Sequence, residues 1–240
     1  MNIKDKITIV IPCKNEIKYI SNTILSIVKQ NNIKGTKVII SDGNSSDGTK
    51  EKIIELSSAY KDILNIEMID GGKVAYGRNK GSELVDTKYI LFMDADVILT
   101  DRNLINHTLF EMYHYKLDLL TCKVKSHGNN IRTKLIFKLF NIVNKIISKK
   151  TPFAVGMYFL TKRDVFRYLG GFDEKMEHSE DYFLSKKYNP KKFRISSKFI
   201  GQDDRRFKKM GYFGMIKLCI TNFINRNNYQ HFLKDVNYWK

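Results

Sequence analysis

Residues 7–28 read ITIVIPCKNEIKYISNTILSIV. Residues 7–11 form a short β-branched run, the composition of a buried strand. Ile17, Ile20, Ile24, Ile27 and Val28 then recur on one face at helical spacing, so the stretch predicts a strand followed by a helix. The same alternation continues along the first half of the chain. Residues 37–40 precede a helix expected to begin near Asp47, residues 64–69 precede one expected over 77–85, and residues 89–93 form a further strand run. Strands alternating with helices indicate an α/β domain with a mostly parallel sheet.

In open sheets of this kind ligands bind beyond the carboxyl ends of the strands. The residues that fall there are polar: Asn15 and Glu16 after the first run, Asp42 after the second, and Asp94 and Asp96 after YILFM at 89–93. Asp and Asn also serve as turn and cap residues after strands, so each position alone carries both readings. Asp94 and Asp96 are two apart. In an extended segment their side chains point the same way, and two converging hard oxygens suit Mg²⁺ or Mn²⁺ with positions left for water and phosphate.

The second half is less regular. Between Lys123 and Lys150 eight basic residues meet no acidic one. Leu135, Ile136, Leu139, Ile142, Val143 and Ile146 make a helical stripe there, with Lys134, Lys138, Lys145 and Lys149 on another face. A basic amphipathic helix of this kind suits an anionic membrane surface, and it equally suits packing on the domain with a solvated basic face. A helix is expected over 162–169, ended by Gly170-Gly171, and another from Ser179 as N-cap. Residues 186–209 carry ten bases against Asp203 and Asp204. Ile216, Ile220, Phe223 and Ile224 share a face of a terminal helix that either packs or docks on a surface.

Bulk properties bound the function. The 240 residues suit one domain, given ~100–200 residues as typical and α/β domains often longer. With 42% hydrophobic residues, 28% charged and three prolines, the chain is globular rather than disordered. No run approaches the ~20 apolar residues of a spanning helix, and the first residues lack a secretory pattern. Cys13, Cys122 and Cys219 have neither disulfide-framework nor zinc spacing, so a cytoplasmic location is expected, with the cytoplasmic face of a membrane as its refinement. The net charge of +17 draws anions of several kinds. A nucleic-acid binder would explain the charge, but no helix-turn-helix, zinc or RNA-binding motif accompanies it. A sugar nucleotidyltransferase needs a Gly-rich loop after the first strand, where this chain reads PCKNE.

Four segments stand in order: ITIVIPCKNE at 7–16, VIISDGNSSDGT at 38–49, YILFMDAD at 89–96 and GGFDEKMEHSEDYFLSKK at 170–187. Together they resemble the motifs of the family 2 glycosyltransferases with the GT-A fold, over roughly residues 7–210. The resemblance implies a Rossmann-like, mostly parallel sheet flanked by helices, with a helical C-terminal extension. The catalytic domain would span 1–210, divided into a nucleotide-sugar-binding half at 1–122, the basic helix at 123–150 and an acceptor-side half at 150–210. Residues 211–240 would be a helical tail.

The implied activity is transfer of a sugar, with inversion, from a UDP- or GDP-linked donor to a hydroxyl of a glycan or lipid-linked glycan, with Mn²⁺ or Mg²⁺ as cofactor. Asp181 would be the base that takes the acceptor proton. Asp96 would hold the metal, and Asp94 the ribose or a metal-bound water. Pro12 and Asp42 would line the base and ribose pocket, with Arg78 approaching from the start of the following helix. Asn15, Glu16, Gly156 and Glu180 would border the same substrate site. The chain departs from the polymer-forming relatives in lacking a Q-x-x-R-W sequence. Arg205, in DDRRFKKMGY, is the nearest group that could reach the diphosphate. A catalytically inactive relative would retain this fold, but here all three aspartates are present.

Overall fold

A computed structural model of the protein describes residues 3–128 and 130–234. The first half runs β1 (Ile7–Cys13), α1 (Ile20–Val28), β2 (Thr36–Asp42), α2 (Thr49–Ala59), β3 (Leu64–Asp70), α3 (Val74–Glu83) and β4 (Tyr89–Phe92). It continues through β5 (Val97–Leu99), α4 (Leu104–His114), β6 (Leu119–Ser126), α5 (Ile131–Ile147), β7 (Phe159–Lys162) and α6 (Arg163–Tyr168). The remaining elements are α7 (Glu180–Ser185), β8 (Phe193–Gln202) and α8 (Arg205–Ile224). Among the described residues the strands form one sheet in the order β3-β2-β1-β4-β7-β6-β8-β5.

The pairs β3-β2, β2-β1 and β1-β4 are parallel, as the alternation of strand and helix requires. Beyond β4 the sheet is mixed: β7 runs antiparallel to β4 and β6, β8 parallel to β6, and β5 antiparallel to β8. Both faces are covered, which explains why the strand runs are continuously apolar rather than alternating. Ile7, Ile9 and Ile11 of β1 enter one core with Ile20, Ile24 and Ile27 of α1, and Val10 enters the opposite core with Ala75 of α3 and Phe166 of α6.

The parallel register aligns the carboxyl ends, with Cys13 opposite Asp42 and Asp42 opposite Asp70. Because Val97 pairs with Gln202, the end of β8 arrives beside Asp96.

Several expectations shift. The helix predicted over 77–85 begins at Val74, and the one predicted from Asp47 begins at Thr49. The basic segment at 123–150 is not all helix: residues 123–126 finish β6, and α5 begins at Ile131 behind an Asn130 cap whose side chain accepts from Arg132 N–H. Ser179 precedes α7 in the left-handed region (φ 63°) and makes no side-chain cap. The basic run at 186–209 contains β8, which periodicity did not reveal because its outward positions mix Arg194 with Ser197 and Phe199 instead of alternating cleanly. Helix α8 starts at Arg205 rather than after 210 and breaks at Gly211, whose φ is 72°. Residues 235–240 of the expected tail lie outside the described residues.

Helix α3 approaches β1 so closely that a Cβ on Gly81 would lie 2.5 Å from Val10 Cγ1. Gly81→Ala is therefore expected to destabilise by ~1–3 kcal/mol through overpacking, although alanine favours helix by about 1 kcal/mol. Denaturant midpoints check this. In combination with Val10→Ala the loss should fall short of the sum of the two single effects, because the added methyl fills the space vacated.

Candidate active site

The loops after β1 and β2 hold each other. Asn15, at φ 55°, donates its N–H to Ser45 Oγ (2.9 Å) and accepts from Ser46 N–H through Oδ1 (2.9 Å). Asp42 accepts from Ser45 N–H (2.9 Å) and Ser45 Oγ (2.5 Å), and Gly43 N–H donates to Cys13 O (2.7 Å). Asp42 is buried at the strand end with Lys50 Nζ 3.6 Å away, while Pro12 is half-buried one residue before the end of β1. The side-chain oxygen of Asn15, expected at the substrate, is thus engaged in joining two loops.

Asp94 and Asp96 follow β4, and each pairs with an arginine of its own. Asp94 Oδ1 accepts from Arg78 Nη2 (2.6 Å), and Arg78 Nη1 pairs with Glu180 at the start of α7. The guanidinium is fully buried, with the Phe172 ring 5.2 Å from its carbon. Burial works against its charge, but Asp94 and Glu180 outweigh that and raise its pKa. Gly156 forms the other wall: a Cβ there would stand 2.5 Å from Arg78 Nη2. Arg78 was expected to approach the nucleotide from the start of its helix. The helix begins earlier, at Val74, so Arg78 stands in the second turn of α3, where it joins the exit of β4 to α7.

Asp181 follows Glu180 and is half-buried beside it. Its Oδ2 accepts from Gly156 N–H (2.6 Å) and its Oδ1 from Tyr182 N–H (2.7 Å). Desolvation, and then the neighbouring Glu180 charge, push its pKa up to about 7, with Arg78 and the two N–H donors pulling the other way.

Asp96 faces a second arginine. Arg205 Nη2 lies 2.7 Å from Asp96 Oδ2, and the same guanidinium takes Glu16 bidentately at 2.6 Å and 2.6 Å. Gln202 Nε2 also donates to Asp96 (2.9 Å), and Arg205 lies 4.6 Å over the Tyr19 ring. Burial raises the Glu16 pKa while Arg205 opposes the rise. Gln202, Tyr19 and Phe172 were not singled out from sequence. Phe172 lay in view inside GGFDE, whereas Gln202 depends on recognising β8.

The donor set fits a divalent cation of the hard, oxygen-seeking kind. Asp96 and Glu16 already hold a positive charge between them, and such ions need few carboxylates when phosphates and water complete their shell. Among the described residues no three His, Cys, Asp or Glu form a closed metal cage.

The sheet, parallel in its first half and mixed beyond β4, with helices on both faces, matches the GT-A class of transferase domain. Residues 8–170 match the family described as Glycosyl transferase family 2, and the chain belongs to that family. It is 27% identical over 195 residues to an O-antigen chain rhamnosyltransferase of Salmonella typhimurium, covering 76% of this chain and 60% of that protein. It is 26% identical to a UDP-Glc:alpha-D-GlcNAc-diphosphoundecaprenol beta-1,3-glucosyltransferase of Escherichia coli, covering 74% of this chain and 67% of the relative. The structure superposes on a mannosyltransferase from Pyrobaculum calidifontis in complex with GDP-Man and Mn²⁺ with a TM-score of 0.68 at 18% identity, covering 85% and 61% of the two chains. The chain thus spans about 60% of the length of the first and third of these proteins.

The Asp181 environment has a measurable consequence. Its folded pKa of about 7 stands above the ordinary aspartate value of 3.8, so the native state binds the extra proton and stability falls as pH rises from about 4 to about 7. Asp181→Asn removes that contribution. The difference in unfolding free energy, wild type minus variant, should decline across this window in urea titrations, and a flat difference would contradict the assigned environment.

Proposed function

We propose that the chain transfers a sugar from a nucleoside-diphosphate sugar to an acceptor hydroxyl by direct displacement, with inversion. The observation that carries this reading is the single network running Asp94, Arg78, Glu180, with Asp181 beside it. It ties Asp94, at the carboxyl end of the sheet, to Glu180 at the start of α7, and so fixes the neighbouring Asp181, whose raised pKa suits a base working near neutrality.

Asp181 takes the proton from the attacking hydroxyl, and Gly156 N–H and Tyr182 N–H hold its two oxygens in place for that task. Pro12 and Asp42 border the base and ribose at the ends of β1 and β2. Asp96, with Asp94 next to it, would hold Mn²⁺ or Mg²⁺, which when bound neutralises charge on the departing diphosphate. Arg205 leaves Asp96 and Glu16 as ligand enters and turns its guanidinium to the diphosphate oxygens, a geometry arginine matches well.

The donors named for relatives and structural neighbours carry UDP or GDP, which supports one of these on the donor here. A diphosphoundecaprenol-linked sugar named as one relative's acceptor supports a glycan or lipid-linked glycan as acceptor. Among the described residues no helix is long and apolar enough to cross a membrane. We place the reaction in the cytoplasm, at a membrane face where such acceptors are presented.

Thermal unfolding with UDP, GDP, CMP or dTDP, with and without Mn²⁺, tests the donor site. One diphosphate should raise the melting temperature in a metal-dependent way, and Asp96→Ala should abolish the rise, because a ligand that binds only the native state stabilises it. Absence of any shift at millimolar nucleotide would overturn the reading.

A further inference from the structure

Helix α5 is fixed with its apolar stripe pointing outward. Ile131, Leu135, Leu139, Ile142, Val143 and Ile146 are 41–71% exposed. The opposite side is held down. Thr133, Phe137 and Asn144 are buried, and Asn141 clamps the backbone of β6 by accepting from Val124 N–H (2.9 Å) and donating to Val124 O (2.7 Å). Phe137 meets Phe207 of α8 edge-on at 5.6 Å, and the Thr133 and Tyr212 hydroxyls are 3.1 Å apart. The helix therefore cannot roll to bury the stripe without breaking these contacts.

Helix α8 repeats the arrangement: Phe213, Ile216, Ile220 and Ile224 are 43–81% exposed, while Met215 is buried.

Charge selects the occupant. Lys134, Lys138 and Lys145 are exposed along one edge of the stripe on α5, with Lys149 exposed just past its end, and neither residues 123–150 nor residues 205–224 contain an acidic residue. A +17 chain repels a second copy of itself, whereas an outward apolar stripe edged by lysines matches the acyl boundary and headgroups of an anionic bilayer.

The helix also lies close to the proposed base. Phe140 contacts Phe153 at 6.2 Å, Phe153 contacts Tyr182 at 5.1 Å, and Tyr182 N–H binds Asp181. We infer that the outer faces of α5 and α8 form a docking surface for an anionic lipid bilayer, seated beside the acceptor side of the site. The docking stands on the exposed faces alone; its service to a lipid-linked acceptor rests on the function proposed above.

The test is co-sedimentation of the full chain with phosphatidylcholine vesicles and with vesicles containing phosphatidylglycerol. Pelleting with the anionic vesicles and little with the neutral ones is expected. A Leu135→Gln/Leu139→Gln/Ile142→Gln variant should lose most of it while keeping its melting temperature and its nucleotide-induced shift. No pelleting with anionic vesicles at low salt overturns the inference. So does pelleting that the triple variant retains in full, which would reduce it to net charge. A dimer in sedimentation velocity that the variant dissolves, without vesicle binding in the parent, would assign the face to a second copy and overturn it as well. Because the nucleotide shift is read in vesicle-free solution, failure of docking is distinguishable from failure of the donor site.

Discussion

The buried guanidinium of Arg78 between Asp94 and Glu180 is the contact on which the site depends. Taking an arginine out of water is costly, and the two carboxylates, with the Phe172 face beneath, offset that cost. Removing one partner of such a buried pair leaves an uncompensated charge and costs about 3–5 kcal/mol. Arg78 thus binds the exit of β4 to the start of α7, bringing residues 102 positions apart in sequence into one constellation. Gly156 is needed in the same place for a steric reason, since any side chain there would meet the guanidinium.

The second arginine differs in kind. Arg205 is 29% exposed, sits at the first position of α8, and spans Asp96 and Glu16 through oxygens that a cation-bound diphosphate would also use. Arg78 is enclosed between two protein carboxylates, whereas Arg205 is partly exposed, and in the proposed reaction its carboxylate partners give way to an incoming ligand. The break at Gly211 separates the first turns of α8, which carry Arg205, from the part bearing the outward apolar face. Residues 153–156 and 202–207 therefore link the strand ends, Asp181 and the outward faces of α5 and α8 through Gly156, Phe153, Arg205 and Phe207.

Much of the parallel half was legible because β1, β2 and β4 are buried on both faces and read as unbroken apolar runs. Asp42, Asp94 and Asp96 were visible for the same reason, since strand ends in such sheets face the ligand. β8 was hidden because Arg194, exposed, and Lys198, half-buried, merge into the surrounding basic run. The link from Glu16 to Arg205 spans 189 positions and follows only from the pairing of β8 with β5. Periodicity displayed the stripe on α5 but carried no information on which way it faces. That direction is set by Asn141 and Phe137, whose partners lie on other elements.

The central claim is that Asp181 acts as the base while the strand-end carboxylates hold the donor. The direct measurement is donor binding and sugar transfer by Asp181→Asn, with UDP- and GDP-sugars, Mn²⁺ and lipid-linked glycans supplied. The account predicts donor affinity close to that of the parent by calorimetry and a transfer rate lower by ~10²–10⁴-fold, the usual contribution of a general base. Transfer at the parental rate would contradict it.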